Sequence, residues 1–459
     1  MRLFVLAALL AAAAAPSSWD ATTVRVETYA SQAARLGRFN GVVVVARGQH
    51  VYRGAFGYAD IAKRAPNTMQ TQFEIASLTK MFTAFAILKL RDEGRLRLSD
   101  SVCRYLSPCP QQWQAVTIDE VLHHRSGIPD YESSLEMESD AYYAFMTQPN
   151  DSERILQREE APPLDFPPGT KFSYSNTGYI VLGFIIEKAA GTSYAAYMHA
   201  HILGPAHMTH TGIIGVDPAP QLAVGYSAPD LTWAQRLAGF DVADVHAKPV
   251  PKLTLASPHG DAALFSTADD LLAWARIMLG ANPTLVSSAE RREIFTSIDG
   301  YGDGWMISPQ FGRERYRHTG ELPGFLSNIA IYPNDDTIVI MLDNLDTPMN
   351  AVTRDLNAAV LDAPYDAPVS GTQVALAPAQ AQQLTGAYKT QDGSIACVSI
   401  GKQFLEIAIR DRFTAGLIPL APDRFYMPLS AGTVTFTSTS LNMRYNGEDH
   451  RAARIPQPC

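Results

Sequence analysis

The order of patterned segments in this 459-residue chain predicts an α+β architecture: an antiparallel sheet flanked by helices, an inserted helical region, and a small all-β domain at the C-terminus. Three observations carry that prediction. Two strand-like runs lie near the N-terminus, strand patterning returns only after residue 300, and short alternating runs fill the chain beyond residue 380.

Taken in order, residues 22–38 have helical spacing. The runs GVVVVA (41–46) and QHVYRGAFGY (49–58) read as two strands turning at Arg47-Gly48, an N-terminal hairpin. From Leu78 the run MFTAFAILKLRDEG repeats apolar residues at helical intervals and stops at Gly94, a suitable C-terminal cap, so Ser77 falls at or just before a helix N-terminus. Residues 117–260 hold several helix signals broken by Pro and Gly, such as YIVLGFIIEKAA (179–190) closed by Gly191, and this middle region is expected to be mostly helical. In STADDLLAWARIML (266–279) Ser266 is the capping candidate, acidic residues fill the first turn, and Gly280 ends the helix. Strands are expected again from Tyr301 to Leu342, with turns at 320–324 and 333–336 and TIVIML as a buried strand. The Pro- and Ala-rich stretch 363–380 reads as linker. The expected organisation is therefore a signal peptide over 1–20, a main domain over 21–365, a linker over 366–380 and a barrel-like domain over 381–459.

Composition narrows the partners. A formal charge of -9 and a pI near 5.7, without any run of Lys or Arg, give no electrostatic footprint for nucleic acid or anionic lipid. A small-molecule or peptide substrate is expected instead. Met1-Arg2 precedes an apolar run from Leu3 to Ala15, the pattern of a signal peptide and shorter than the ~20 residues a membrane span needs. The mature protein is accordingly expected to be secreted or periplasmic, with no stable membrane anchor. Its four cysteines suit an oxidising compartment: local pairing is expected, Cys103 with Cys109 across a short Pro-containing loop and Cys397 with Cys459 near the C-terminus. No Cys/His spacing typical of a metal site appears, and no cofactor is expected.

Three short motifs carry chemistry: Ser77-Leu78-Thr79-Lys80, Tyr174-Ser175-Asn176 and His318-Thr319-Gly320. On a helix, residues i and i+3 share a face, so Lys80 reaches Ser77. A second SxxK, at Ser399 and Lys402, lies in a strand-like run whose alternation sends the two side chains to opposite faces. The second YxN, Tyr332-Pro333-Asn334, falls in a strand-to-turn segment after the third motif, and a second HTG stands at His210-Thr211-Gly212. A serine hydroxyl needs a base, and a lysine of ordinary pKa ~10.4 serves only when its surroundings tune it. Tyr174 is a second proton carrier, and residue identity leaves open which of the two accepts the serine proton. Asn176 is placed to orient Lys80 and to hydrogen-bond a substrate amide. The histidines His199, His201, His207 and His210 read as surface or packing residues, His123 and His124 as loop residues, and Glu136, Glu138 and Asp140 as a solvated loop.

With these motifs stand LHHRSGIPDY (122–131), FPPGTKFSYSNTGYIVLGFIIEKAAGTSY (166–194), LFSTADDLLAWARIML (264–279), YGDGW (301–305) and HTGELPGFLSNIAIYP (318–333). Over about residues 25–350 the sequence resembles the beta-lactamase-related serine hydrolases, which include class C beta-lactamases, D,D-peptidases, D-aminopeptidases and esterases. The resemblance implies a beta-lactamase/transpeptidase-like fold in which Ser77 is acylated, Lys80 and Tyr174 move protons, and Asn176, His318, Thr319, Gly320 and Glu321 line the substrate site. It also implies an oxyanion hole built from the backbone N–H groups of Ser77 and Glu321, and substrates that include peptidoglycan-derived peptides.

One departure bears on substrate. Many beta-lactamases carry lysine where this chain has His318, and a histidine of pKa ~6.5 is mostly neutral above pH 7, which disfavours strong beta-lactamase activity. Ester, amide or peptide hydrolysis ranks first; a true beta-lactamase or D,D-carboxypeptidase, and a non-catalytic cell-wall ligand binder, are the alternatives. A nucleophile-elbow hydrolase is excluded, because GxSxG occurs nowhere in the chain.

Overall fold

A computed structural model describes residues 18–134, 139–148, 156, 163–228, 230–245, 247–255, 259–347, 349–409, 413–456 and 459. The expected signal peptide lies almost wholly outside these residues, as do Glu136 and Glu138. Ser18 caps the first helix, Trp19–Arg35, through its side-chain oxygen.

The central sheet has six antiparallel strands in the order His50–Ala55, Gly41–Arg47, Thr337–Asp343, Phe325–Tyr332, Tyr316–Leu322 and Met306–Ile307. The N-terminal hairpin thus docks beside the last long strand, Val44 opposite Ile340. Both faces are covered, and the alternation within GVVVVAR shows how. Val42, Val44 and Ala46 enter the main core, while Val43 and Val45 face the helices Trp19–Arg35 and Met349–Val360. A run of valines reads as continuous because each neighbour finds a different core.

The main core centres on the helix Thr79–Asp92, where Phe82 and Phe85 pack on Trp274 at ring distances of 4.6 and 5.5 Å. Trp274 belongs to the helix Ala268–Leu279, whose N-cap is Thr267 rather than the expected Ser266. Ser266 instead ends the strand Leu264–Ser266, which pairs with Phe73–Glu74. Gly320 likewise lies inside the strand Tyr316–Leu322 and not in the turn; the reversal is made by Pro323 and Gly324 alone, with Gly324 at φ +75°. The middle region is a chain of short helices around one long one, Asn176–Ala190.

Beyond residue 385 eight antiparallel strands form a closed barrel, because Gly386–Thr390 pairs with both Ile395–Ile400 and Glu448–Ile455. Closure removes the exposed edges a small sheet otherwise presents. Its interior holds Tyr388, Ile407, Leu417, Phe425 and Phe436. The preceding segment is strapped to the main domain rather than free: Gln32 Nε2 donates to Pro368 O and Arg38 Nη2 to Val369 O, each at 2.8 Å. Leu237 packs with Ile418 and Tyr426, and the Arg38 guanidinium lies 5.1 Å from the Tyr426 ring.

Cys103 and Cys109 form a disulfide. The second expected bond is absent: Cys397 and Cys459 are free thiols. Cys397 sits on the strand Ile395–Ile400, one strand removed from Glu448–Ile455, so the chain end must fold back across Gly386–Thr390 to approach it. The two thiols are close enough to interact: burial, then Cys397, pushes Cys459 up to about 11.

Candidate active site

Ser77 lies on a 3-10 turn, Ala76–Leu78, between the strand Phe73–Glu74 and the helix Thr79–Asp92. Ala76 adopts φ +49°, a left-handed conformation that costs an alanine ~1–2 kcal/mol and persists only where its surroundings hold it. The sheet supplies that hold. Ser327 Oγ donates to Ile75 O at 2.8 Å, and Gly320 packs so closely that a Cβ there meets Ile75 O at 2.4 Å. On the strand Tyr316–Leu322, the strand Met306–Ile307 pairs with Tyr316 and Arg317 alone, so the edge of residues 318–322 on that side is unpaired among the described strands.

Lys80 is fully buried, and its ammonium donates to Ser77 Oγ (3.0 Å), Asn176 Oδ1 (2.7 Å) and the Asp261 carbonyl (3.1 Å). An ammonium has three donors, and each has an acceptor here. Asn176 opens the helix Asn176–Ala190, which Ser175 caps by accepting from Gly178 N–H. Behind it stand two carboxylates that the motif reading did not single out. Asp130 Oδ2 accepts from the Asn176 backbone and side-chain N–H groups at 3.1 and 3.2 Å, and Glu132 Oε2 accepts from Nδ2 at 3.0 Å. That contact settles the amide orientation, because carboxylates draw Nδ2 and turn Oδ1 towards Lys80. Both amide donors are engaged, so a bond from Asn176 to substrate requires displacing a carboxylate. Burial, then the charge of Asp130, raises Glu132 to about 7; burial also raises Asp130.

The Tyr174 ring centre lies 5.0 Å from Lys80 Nζ. The ring also packs against His124, centroid to centroid 4.3 Å. His124 is therefore more than a loop residue: it is buried at φ +54°, and its Nδ1 accepts from Ser175 N–H at 3.1 Å. Burial first, then the charges of Lys80, His318 and His123, drives its pKa well below the usual imidazole range. A neutral ring lies beside Tyr174.

His318 is fully buried, with Nδ1 2.7 Å from Thr319 O and Nε2 3.0 Å from the Tyr301 hydroxyl. A carbonyl only accepts, so Nδ1 carries the proton and Nε2 accepts from Tyr301. Burial, reinforced by Lys80, lowers His318 to about 3. It presents no cation, and Tyr301, within the YGDGW segment, explains where its second nitrogen goes.

Asp261, which supplies the third acceptor for Lys80, was likewise outside the motifs. Burial opposes its charge, but the His259 hydrogen bond at 3.1 Å and the positive charges of His259 and Lys80 hold its carboxyl below the ordinary range. Gly260 between them is required by contact: a Cβ there meets Tyr179 O at 2.5 Å. A His-Gly-Asp triplet gives a reader of sequence little warning of this.

The decoys separate as their local structure demands. Ser399 lies on a barrel strand, and Tyr332-Pro333-Asn334 runs from strand into a 3-10 turn. His210 has its ring nitrogen 3.7 Å from Asp270, His199 pairs with Asp217, and His201 stacks on Tyr197. Among the described residues no group of three or more His, Cys, Asp or Glu side chains is arranged to hold a metal ion. No described helix is long and apolar enough to cross a membrane.

Comparison with known proteins agrees with this arrangement. The Beta-lactamase family model matches residues 27–363. Penicillin-binding protein 4* of Bacillus subtilis is 29% identical over 439 residues, covering 91% of this chain and 95% of that protein. The octameric penicillin-binding protein homologue from Pyrococcus abyssi superimposes with a TM-score of 0.65 at 24% identity, over 95% of this chain and 99% of the other. The D-amino acid amidase from Ochrobactrum anthropi superimposes with a TM-score of 0.61 at 21% identity, over 75% of this chain and 98% of its own, a likeness of fold. The matched span takes in the sheet, the nucleophile turn and every one of the three motifs, and so this chain is a member of the beta-lactamase family of serine hydrolases.

Proposed function

We propose that this protein is an exported hydrolase that cleaves an ester, amide or peptide bond through an acyl-enzyme at Ser77. The observation that carries the reading is the hydrogen bond from the buried Lys80 ammonium to Ser77 Oγ, with Asn176 and Asp261 fixing the lysine's other two donors. In the attack, Ser77 Oγ adds to the substrate carbonyl carbon as its proton passes to the Lys80–Tyr174 pair, which accepts it once one of the two has given up its own proton, Lys80 as the amine or Tyr174 as the phenolate. The developing oxyanion is held by the backbone N–H groups of Ser77 and Glu321, one on the nucleophile turn and one on the unpaired strand edge. Collapse expels the leaving group, which takes a proton from the same pair, and water then hydrolyses the ester to release the acid and restore Ser77.

Substrate preference follows from His318. A neutral, buried imidazole bonded to Tyr301 offers no permanent charge to a substrate carboxylate, which supports esters, amides or peptides over beta-lactams. The Met1-Arg2 start and the apolar run to Ala15 support export.

The test is intact-mass labelling of wild type and Ser77→Ala with a fluorophosphonate and a penicillin. Wild type is expected to gain one fluorophosphonate adduct and Ser77→Ala none; labelling that persists in the variant overturns the nucleophile assignment. p-Nitrophenyl esters and D-amino-acid amides are expected to turn over faster than nitrocefin. The reverse ranking contradicts the argument from His318.

A further inference from the structure

The short strand that delivers the nucleophile turn has two faces. Phe73 enters the main core, while Glu74 lines a cavity of about 750 Å3 on the other side. That volume lies within the range of small-molecule sites, roughly 300–1,000 Å3. Ile214, Leu222, Val250, Leu253, Phe265 and Phe325 form an apolar part of the wall, and the lining also includes Val216, an exposed aliphatic side chain.

Glu74 is out of place in such a wall. The residue is only 5% exposed, and no donor among the described residues hydrogen-bonds its carboxylate. A buried carboxylate without a partner is costly, and the buried Asp130 by contrast finds donors on Asn176. Two other charged residues line the cavity. Asp217 is already engaged, by His199 at 2.8 Å and by Ile213 N–H at 2.7 Å. Lys252 is exposed and makes no ion pair with Glu74 among the described residues. Burial raises Glu74 to about 7, against the pull of Lys252.

We propose that this cavity binds an amphiphilic primary amine, its ammonium donating to Glu74 and its hydrocarbon part lying against the apolar wall. A divalent cation is a poor fit, since it requires several oxygen ligands and one carboxylate stands here. An anion is excluded by the same carboxylate. The cavity also has a route to the catalytic machinery. Glu74 is three residues from Ser77, and the opposite wall holds Pro323 and Phe325, at the end of the hairpin that carries Gly320 and Glu321. A bound amine therefore touches both segments that flank the nucleophile, without depending on which bond Ser77 cleaves.

The experiment is calorimetric titration of the full protein with 4-phenylbutylamine and with the neutral 4-phenylbutanol. The amine is expected to bind more tightly, and to bind better at pH 8 than at pH 6 as Glu74 ionises. Glu74→Gln is expected to weaken amine binding on the order of tenfold to hundredfold, the worth of a charge-assisted hydrogen bond, and to leave the alcohol unchanged. Equal binding of the two ligands, no binding of the amine, or unchanged amine affinity in Glu74→Gln overturns the proposal. If that variant fails to fold, Val216→Trp in the lining decides: blocked amine binding at an unchanged melting temperature supports the site, and undiminished binding refutes it. Binding is also measured after a fluorophosphonate has filled Ser77. Retained affinity places the amine outside the catalytic cleft, whereas its loss places the amine in that cleft and overturns the proposal.

Discussion

Gly320→Ala is the sharpest test of how the nucleophile is held. The added Cβ meets Ile75 O at 2.4 Å, Ser327 Oγ at 2.4 Å and Ala76 Cβ at 3.0 Å. Ordinary contact begins near 3.4 Å, so the strand and the turn must separate by about 1 Å. Neither neighbour gives easily: Ile75 O is backbone, and Ser327 Oγ is tied to that same oxygen at 2.8 Å. A displacement of about 1 Å at reacting groups costs on the order of 100-fold in rate, and overpacking costs about 1–3 kcal/mol of stability. The assay is the second-order rate of fluorophosphonate acylation at Ser77, followed by intact mass, alongside a melting curve. Gly416→Ala is the control, because nothing lies within 4 Å of the Cβ it adds in the barrel. Acylation of Gly320→Ala within about threefold of wild type at an unchanged melting temperature would falsify the close-packing argument.

The remaining predictions concern the layers behind that contact. Asp130→Ala removes an acceptor for the backbone and side-chain N–H groups of Asn176 and for Glu132 N–H, so a loss of about 1–3 kcal/mol of stability is expected together with acylation slowed on the order of tenfold; an equal acylation rate refutes a positioning role. Asp343 is buried with Oδ2 unpartnered among the described residues, and burial raises it from 3.8 to about 8. A carboxyl raised on folding adds stability that is fully present below pH 4 and lost as pH rises through 8, so the melting temperature of wild type is expected to fall relative to Asp343→Asn across that window; a pH-independent difference refutes this. The Cys103–Cys109 disulfide closes a loop of sequence separation 6, for which chain entropy gives about 2 kcal/mol. The double serine variant is expected to lose that much in urea unfolding, and a change below about 0.5 kcal/mol contradicts the estimate.

Periodicity made the sheet and its covering helices legible. In GVVVVA and TIVIMLD every residue is buried, and the residue-by-residue pairing of Val42 with Leu342 through Ala46 with Ile338 follows once the two runs are recognised as strands. Boundaries were less visible, because adjacent candidates compete on equal chemistry: Ser266 and Thr267 both suit a cap, and the last pair of the Leu264–Ser266 ladder claims the first of them. The C-terminal thiols failed for a different reason. Cys397 and Cys459 come close enough to interact yet remain thiols, and nothing in the sequence of either segment distinguishes that contact from a bond.

The site shows the same limit at finer scale. Ser77 and Lys80 were readable because one helix face makes them neighbours, and local geometry travels with sequence. Their partners come from loops far away in the chain, Asp130 and Glu132 before the Tyr174 motif and Asp261 well after it, and no spacing rule links them to Lys80. His318 joins the two cases. Its residue type alone indicated a weak cation, but the surroundings decide the question, because Thr319 O fixes the proton on Nδ1 and Tyr301 occupies Nε2. With Nδ1 already donating to Thr319 O and burial opposing charge, protonating Nε2 requires the Tyr301 hydroxyl to turn from donor to acceptor. The preference against anionic beta-lactams therefore rests first on the burial that keeps this ring neutral, and His318→Lys, which puts an ammonium donor at this position, is the substitution expected to raise nitrocefin turnover relative to ester turnover. An unchanged ratio in that variant would show that the charge at residue 318 does not govern the choice.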